Sequence, residues 1–187
     1  MVDLSDVTLN FSAWLRGRRF GKSLPVLIQI LSPAKDDVIL DVGAGTGVIA
    51  NEITKYCDEV FALEPNPKRV EFMKKKYPQV KAFIGTAEAI QFPESYFTKA
   101  YVISVLHHFE DKDTALYELC RVLKRNGVLV IRDSEPGTRV SKFESLGAKV
   151  AFMSSEKLKE KLAETGFEVI DMKKAGGGSY FLSSRKI

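Results

Sequence analysis

Cysteine is scarce in this chain, and its scarcity excludes a fold held together by disulfides. Only two cysteines, Cys57 and Cys120, occur among 187 residues, and they are widely separated. Small secreted domains that depend on disulfides carry many more. The sequence therefore predicts a reduced, cytoplasmic protein. Cys120 falls in a helical pattern of leucines and is expected to be a core thiol.

Long apolar runs are also missing. The best candidate, Leu24–Leu31, follows a basic stretch and superficially resembles a secretion signal. It contains Pro25 and Gln29 and is too short to span a bilayer. We expect it to form a short helix packed on a sheet, with no membrane association.

Histidine is limited to two adjacent residues, His107 and His108. Two neighbouring imidazoles do not both face one ion from a single turn without carboxylate ligands, so no metal site is predicted. The net charge of +4 permits weak attraction to polyanions without requiring it. The main basic cluster is interpreted as a solvated helix face. It consists of Lys68, Arg69, Lys74, Lys75, Lys76 and Lys81.

Strand and helix patterns alternate along the chain, which is typical of a parallel sheet covered on both faces. The predicted strands are residues 38–42, 59–64, 80–84, 100–104, 128–133, 167–173 and 180–184. The predicted helices lie near residues 48–56, 67–76, 112–123 and 155–165. Gly176–Gly178 forms a hairpin-type link, so the last strand is expected to be antiparallel. The fold class is α/β, doubly wound, with a seven-stranded and mostly parallel sheet.

A single domain is expected, because neither repeats nor a second domain can be recognised. Residues 1–36 are predicted to form a helical N-terminal cover, and residues 37–187 the Rossmann-like core. Two segments are candidates for covering a ligand: residues 11–22, which include Trp14, and residues 134–154.

A glycine-rich turn follows the first predicted strand. Residues 37–47 read DVILDVGAGTG, in which Gly43, Gly45 and Gly47 let the backbone turn sharply and approach a ligand. Helix-forming sequence begins at Val48. Amide groups at a helix N-terminus are therefore expected to face whatever lies over the glycines.

Two acidic residues accompany this turn. Asp41 lies at the end of the first strand, and Glu64 ends the next apolar run 23 residues later. A separation of ~20 residues is expected for an acidic residue that binds a ribose. The dinucleotide fingerprint needs a glycine where this chain has Val48, and Asp41 would repel a pyrophosphate. S-adenosylmethionine has a cationic amino acid end, a sulfonium and a ribose but no phosphate, so it fits better than NAD.

The string LDVGAGTG, residues 40–47, resembles motif I of the class I S-adenosylmethionine-dependent methyltransferases. Further segments are similar to the end of that family's second strand, to its adenine-lining segment, and to two segments of small-molecule methyltransferases related to quinone-biosynthesis enzymes. These are Glu64-Pro65-Asn66, residues 85–93 (GTAEAIQFP), residues 105–109 (VLHHF) and residues 121–127 (RVLKRNG). The resemblance covers about residues 37–187 and implies S-adenosylmethionine as the cofactor.

The resemblance also implies which residues hold the cofactor. These are Asp41, Gly43, Ala44, Gly45, Gly47, Glu64, Pro65, Thr86, Ala87, Glu88 and Ser104. Thr86 replaces an aspartate that often accepts from the adenine amino group, so that bond comes from a hydroxyl or is lost. Thr98 and Arg125-Asn126 are further departures from the family pattern. None of them touches the glycine turn or Glu64.

Methyl transfer from a sulfonium is an in-line displacement whose leaving thioether needs no acid, so alignment and exclusion of water carry much of the catalysis. A base is needed only if the acceptor is protonated. His107 and His108, just beyond the fourth strand, titrate near neutrality and are the candidate catalytic residues. Alternatively, one of them caps the next helix or packs on the cofactor. Asp133 and Glu135 are candidates for orienting a substrate.

The acceptor is predicted to be a small molecule. No Asn-Pro-Pro or Asp-Pro-Pro follows the fourth strand, and neither cysteine lies directly after the end of the fourth or fifth strand. Both absences argue against methylation of nucleic-acid bases. An RNA methyltransferase is an alternative supported only by the sequence pI near 9.0. An NAD-dependent oxidoreductase and a non-catalytic S-adenosylmethionine-binding module are further alternatives, because a fold does not guarantee an activity.

Overall fold

The computed structural model describes residues 8–9, 21, 23–144 and 150–187. The chain divides into two compact units, Met1–Thr86 and Ala87–Ile187. The predicted cover at residues 11–22, with Trp14, lies almost entirely outside the described residues, as does the middle of the predicted cover at residues 134–154. Among the described residues, no helix combines the length and the apolar character needed to cross a membrane.

The first unit alternates helices and strands. Its elements are α1 (Leu24–Leu31), β1 (Val38–Val42), α2 (Val48–Ile53), β2 (Glu59–Glu64), α3 (Pro67–Lys76) and β3 (Lys81–Ile84). Strand β2 pairs in parallel with both β1 and β3. Ile39, Leu40 and Val60 are completely buried, as expected for strands covered on both faces.

Helix α3 begins at a strong start signal. Asn66 is its N-cap, and the Asn66 side chain accepts hydrogen bonds from the backbone N–H groups of Lys68 and Arg69. Pro67 occupies the first helical position, where its missing N–H has no intrahelical partner to lose. This cap fixes the course of the chain directly after Glu64.

The second unit contains four strands and three α-helices among its described residues. They are β4 (Phe97–Ile103), α4 (Lys112–Val122), β5 (Leu123–Ser134), α5 (Arg139–Glu144), α6 (Ser155–Glu164), β6 (Phe167–Ala175) and β7 (Ser179–Lys186). Short 3₁₀ turns lie at Leu106–His108 and Gly176–Gly178. Strand β5 pairs in parallel with β4, whereas β7 is antiparallel to both β5 and β6.

The seven strands follow the order β3-β2-β1-β4-β5-β7-β6 in one sheet. The predicted fold class is confirmed: the sheet is mostly parallel, α/β, and its last strand is antiparallel. Five strands, β3 to β7, begin or end away from the predicted positions. The largest differences are in β4 and β5, because buried Phe97 pairs with Leu123 ahead of a bulge that precedes Lys99.

Two short elements, the turn Leu106–His108 and α5, were not predicted because neither is long enough to show a periodic pattern. Cys120 is half-buried rather than fully enclosed. Its burial nevertheless raises the pKa of the thiol above its ordinary value. The helix α1 is confirmed at the predicted residues.

Gly127 in β5 offers a test of packing, since a Cβ atom there would lie 2.7 Å from the carbonyl oxygen of Lys124 and 3.0 Å from that of Thr98. Both neighbours are backbone atoms and cannot move aside easily. We expect Gly127→Ala to lower the free energy of unfolding by about 1–3 kcal/mol in urea denaturation. Gly176→Ala is the control, because a Cβ atom at Gly176 would meet nothing within 4 Å. Equal urea midpoints for the two variants would contradict this prediction.

Candidate functional site

The loop after β1 has a backbone conformation that favours glycine. Gly43 and Gly45 have φ values of 74° and 62°, in the left-handed region that residues with a side chain rarely adopt. The N–H groups of Gly43 and Ala44 both donate to the carbonyl oxygen of Leu63, at 2.8 and 3.0 Å. The loop is thus fastened to the end of β2 through backbone atoms.

The end of this loop is tightly packed. Gly47, with φ of 76°, is the N-cap of α2, and a Cβ atom there would lie 2.7 Å from the Met73 side chain. Thr46 is 1% exposed, and its hydroxyl forms no hydrogen bond among the described residues. Asp41, within β1, is also buried. The predicted cofactor loop therefore combines buried polar groups with a glycine, Gly47, against which the Met73 side chain packs closely.

Glu64 is the acidic residue that binds this loop. Its side chain is 4% exposed, and its Oε2 atom accepts from the N–H of Gly45 at 2.8 Å. The Oε1 atom accepts from the N–H of Asn66 and from Nη1 of Arg69, each at 3.2 Å. A carboxylate has about four lone-pair sites. Three donors already use it, so Glu64 organises the loop before any ligand binds.

The segment after β3 was predicted to line an adenine. Within this segment, Thr86 is exposed, whereas Ala87 is 4% exposed. Pro65, which follows β2, is also exposed. Glu88 is half-buried, and its Oε1 atom accepts from the N–H of Glu110 at 3.0 Å. In the second unit, therefore, Glu88 binds the chain that leads into α4.

Helix α4 holds residues 90–92, at the end of this segment, through two charged side chains. Glu118 Oε2 accepts from the N–H of Ile90 at 2.9 Å, and Arg121 donates to the carbonyl oxygens of Ile90 and Phe92, both at 2.8 Å. Glu118 and Arg121 also pair with each other. Their hydrogen bond lowers the pKa of Glu118 and raises that of Arg121. Both groups therefore remain charged near neutral pH, and residues 90–92 are clamped to the helix.

Ser104 follows β4 in an unusual backbone conformation, with φ of 53°. Its N–H donates to the carbonyl oxygen of Arg132 at 2.7 Å, and its hydroxyl accepts from Nη1 of Arg132. Arg132 is buried and also donates to the Ser179 hydroxyl at 3.2 Å. Contacts with β5 and β7 thus hold Ser104 in the left-handed region, which is costly for a residue with a side chain.

His107 is buried against a carboxylate. Its Nδ1 atom lies 2.9 and 3.1 Å from the two oxygens of Asp133, and its backbone N–H donates to Asp133 Oδ2 at 3.0 Å. Asp133 also accepts from the N–H of Ser134 at 2.8 Å. The Phe152 ring stacks on the imidazole at a centroid distance of 4.2 Å and an angle of 18°. His107 is therefore fixed in position, and Nδ1 carries the hydrogen that faces Asp133.

His108 differs from its neighbour because it is exposed. The two imidazole rings are 4.3 Å apart, with an angle of 44° between their planes. Neither histidine caps the next helix, since Asp111 is the N-cap of α4. This finding removes the helix-cap alternative considered from the sequence. The roles of the two histidines in catalysis remain predictions.

Asp133 and Glu135 were predicted to orient a substrate, but both bind other parts of the chain. Asp133 binds His107, and Glu135 accepts from the N–H of Ser155 at the start of α6. Nearby, the Tyr180 hydroxyl donates to the carbonyl oxygen of Met153 at 3.1 Å. Burial raises the pKa of Tyr180, and the charges of Asp133 and Glu135 raise it further. Tyr180 therefore stays protonated and keeps donating this hydrogen bond.

The structure brings some of the predicted residues together and adds others. In the first unit, Gly45 and Glu64 are in direct contact, and their roles in binding the cofactor stay predictions. Sequence reasoning missed Arg69 as a partner of Glu64 and Phe152 as a partner of His107. Arg69 was predicted only as part of a basic surface. Its position five residues after Glu64, in the first turn of α3, was the available signal.

Known proteins with similar sequences are methyltransferases. Residues 40–131 match the family described as methyltransferase domain. A stretch of 154 residues is 31% identical to the O-methyltransferase rstn1 of Aspergillus nomiae, covering 75% of this chain and 68% of that protein. A stretch of 126 residues is 30% identical to the uncharacterized methyltransferase Rv3342 of Mycobacterium tuberculosis, covering 66% and 51%. The chain spans about half the length of the mycobacterial relatives that it matches.

A solved structure resembles the fold over almost its whole length. It belongs to the complex between the Haloferax volcanii Trm112 methyltransferase activator and a methyltransferase. The match has a TM-score of 0.87 and covers 99% of this chain and 98% of the solved chain. The sequence identity is 12%, so the similarity establishes the fold alone.

The carboxylate of Asp133 offers a test of how the buried His107 is held in place. In Asp133→Asn, the side-chain amide would replace one acceptor oxygen with a donor that faces the N–H groups of His107 or Ser134. A buried donor left without a partner costs about 1–3 kcal/mol, so we expect a loss of this size in the free energy of unfolding. Asp171→Asn is the control, because Asp171 is 53% exposed and its ion pair with Lys173 is long, at 3.9 Å. Exposed pairs of this kind contribute little to stability. A urea midpoint unchanged by Asp133→Asn would refute this account.

Proposed function

This chain belongs to the class I S-adenosylmethionine-dependent methyltransferase family, so its cofactor is S-adenosylmethionine, and we propose that it transfers the methyl group to an oxygen atom of a small molecule. The observation that carries the proposal is the contact between Gly45 and Glu64, which combines a glycine loop with a buried carboxylate. The Aspergillus relative is named an O-methyltransferase, which supports an oxygen acceptor.

The residues of the first unit fit an adenosyl ligand. Ribose hydroxyls are hydrogen-bond donors, and Glu64 is an acceptor that is buried and therefore shielded from water. The buried Thr46 hydroxyl supplies another polar atom in the same loop. We propose that Glu64 holds the ribose, and that the loop from Gly43 to Gly47 approaches the ligand. NAD fits less well because Val48 replaces the glycine of the dinucleotide fingerprint.

When bound, the cofactor supplies an electrophilic methyl group on a sulfonium. An acceptor hydroxyl must lose its proton during the transfer, which calls for a base. We propose His108 for this role, because it is exposed whereas the His107 side chain is 1% exposed. His107, held by Asp133 and Phe152, is then a positioning residue that packs against His108. We also propose a reducing, cytoplasmic setting, because the sequence has only two cysteines, Cys57 and Cys120, and they are widely separated.

We expect S-adenosylhomocysteine to bind more tightly than NAD, and Glu64→Gln to weaken its binding at least tenfold. Charge-assisted hydrogen bonds contribute about 1.5–3 kcal/mol, and about 1.4 kcal/mol corresponds to a factor of ten. Titration calorimetry measures both effects. Glu59→Gln is the matched control, since Glu59 begins the same strand and is 43% exposed. Tighter binding of NAD, or an unchanged Kd in folded Glu64→Gln, would exclude the proposed ribose site.

The acceptor class can be tested with methyl-labelled cofactor and a cell extract. We expect label in the low-molecular-weight fraction, and turnover to fall strongly in His108→Ala while the Kd for S-adenosylhomocysteine is unchanged. Label in RNA, with a steep loss of binding as salt increases, would instead support the RNA alternative. Because the Haloferax structure is a complex with an activator, we further propose that a Trm112 protein from the same organism increases turnover. The assay is therefore run with and without it.

A further inference from the structure

Arg69 occupies a distinctive position in the first turn of α3. Its Nη1 atom lies 3.2 Å from Oε1 of Glu64. The Arg69 side chain is 38% exposed, whereas that of Glu64 is 4% exposed. The long guanidinium side chain therefore reaches inward from the surface to a carboxylate that water hardly contacts.

The two oxygens of Glu64 are not equally occupied. Among the described residues, Oε2 accepts one hydrogen bond, from Gly45, so one of its two lone pairs remains available. Oε1 accepts from both Asn66 and Arg69, which together use its two lone pairs. A ribose that donates one hydroxyl to each oxygen thus needs a lone pair on Oε1 that is already in use.

Of the two donors on Oε1, only Arg69 can leave readily. The Asn66 donor is a backbone N–H, and it belongs to the N-cap that fixes the start of α3. Arg69 donates through a flexible, partly exposed side chain. Displacing it breaks an ion pair but leaves the helix cap and the loop contact to Gly45 in place.

We infer that Arg69 sets the affinity of this chain for ribonucleoside ligands by occupying the Glu64 oxygen that the ribose diol requires. The inference rests on the proposed function, in which Glu64 binds the ribose. Arg69 acts as a stand-in donor that keeps the buried carboxylate paired in the absence of a ligand. Binding exchanges the guanidinium for a ribose hydroxyl, so the lost ion pair subtracts from the affinity.

The partial exposure of the Arg69–Glu64 ion pair limits how much Arg69 weakens ligand binding. Ion pairs with an exposed partner are weak and are screened by salt. We therefore expect Arg69→Met, which removes the donor but keeps a long side chain, to bind S-adenosylhomocysteine about threefold to fivefold more tightly than the unmodified protein. Raising the salt concentration should tighten the binding of uncharged adenosine to the unmodified protein, and leave Arg69→Met unaffected.

Titration calorimetry on the full chain tests this inference, with Lys68→Met as the matched control. Lys68 is the neighbouring exposed cation on the same helix, so its loss changes the net charge equally. We expect Lys68→Met to bind like the unmodified protein. We also expect the gain in Arg69→Met to disappear with 2′,3′-dideoxyadenosine, measured by competition, because this ligand has no diol.

Equal or weaker binding of S-adenosylhomocysteine by Arg69→Met, with an unchanged melting temperature, would overturn the inference alone. A gain that persists with 2′,3′-dideoxyadenosine would also overturn it, because the diol would then be irrelevant. Failure of the unmodified protein and both variants to bind S-adenosylhomocysteine would instead reject the proposed function on which the inference rests.

Discussion

The hydrogen bond between the Gly45 amide and the Glu64 carboxylate is the contact on which the arrangement of the first unit depends. It joins the loop after β1 to the end of β2, beside two amide bonds to the Leu63 carbonyl. A buried carboxylate is stable only when donors surround it. The glycine loop supplies one donor, the start of α3 supplies another and Arg69 a third. Loop, strand and helix therefore stabilise one another through a single side chain.

The second unit uses the same principle at the end of β5. Asp133 accepts from the backbone N–H groups of His107 and Ser134 and from the imidazole of His107. Here too, a buried carboxylate gathers donors where a strand ends, and it fixes the His107 side chain as a result. Phe152 covers the imidazole on one face. His108 is exposed to solvent, and its ring packs against the fixed ring of His107. The pair therefore combines one accessible imidazole with one of defined orientation.

Much of the fold could be predicted, because buried parallel strands carry a strong apolar pattern. Strands β1 and β2 and helix α3 begin and end at the predicted residues. The boundaries of β4 depend instead on a pairing between Phe97 and Leu123, which are distant in sequence. The glycine loop and Glu64 were predicted from their spacing. The contacts of Asp133 with His107, and of Arg69 with Glu64, depend on side-chain geometry that no local pattern encodes.

The position of β7 between β5 and β6 has a consequence for how the second unit forms during synthesis. Strand β6 leaves the ribosome before β7, yet in the finished sheet it pairs with β7. Until residues 179–186 have emerged, the backbone groups of β6 and one edge of β5 therefore await their partner. Such unpaired edges invite association between chains, and pairing across long sequence separations is slow. Completion of this half of the sheet therefore waits for residues 179–186, and nascent chains are most vulnerable to aggregation just before these residues emerge.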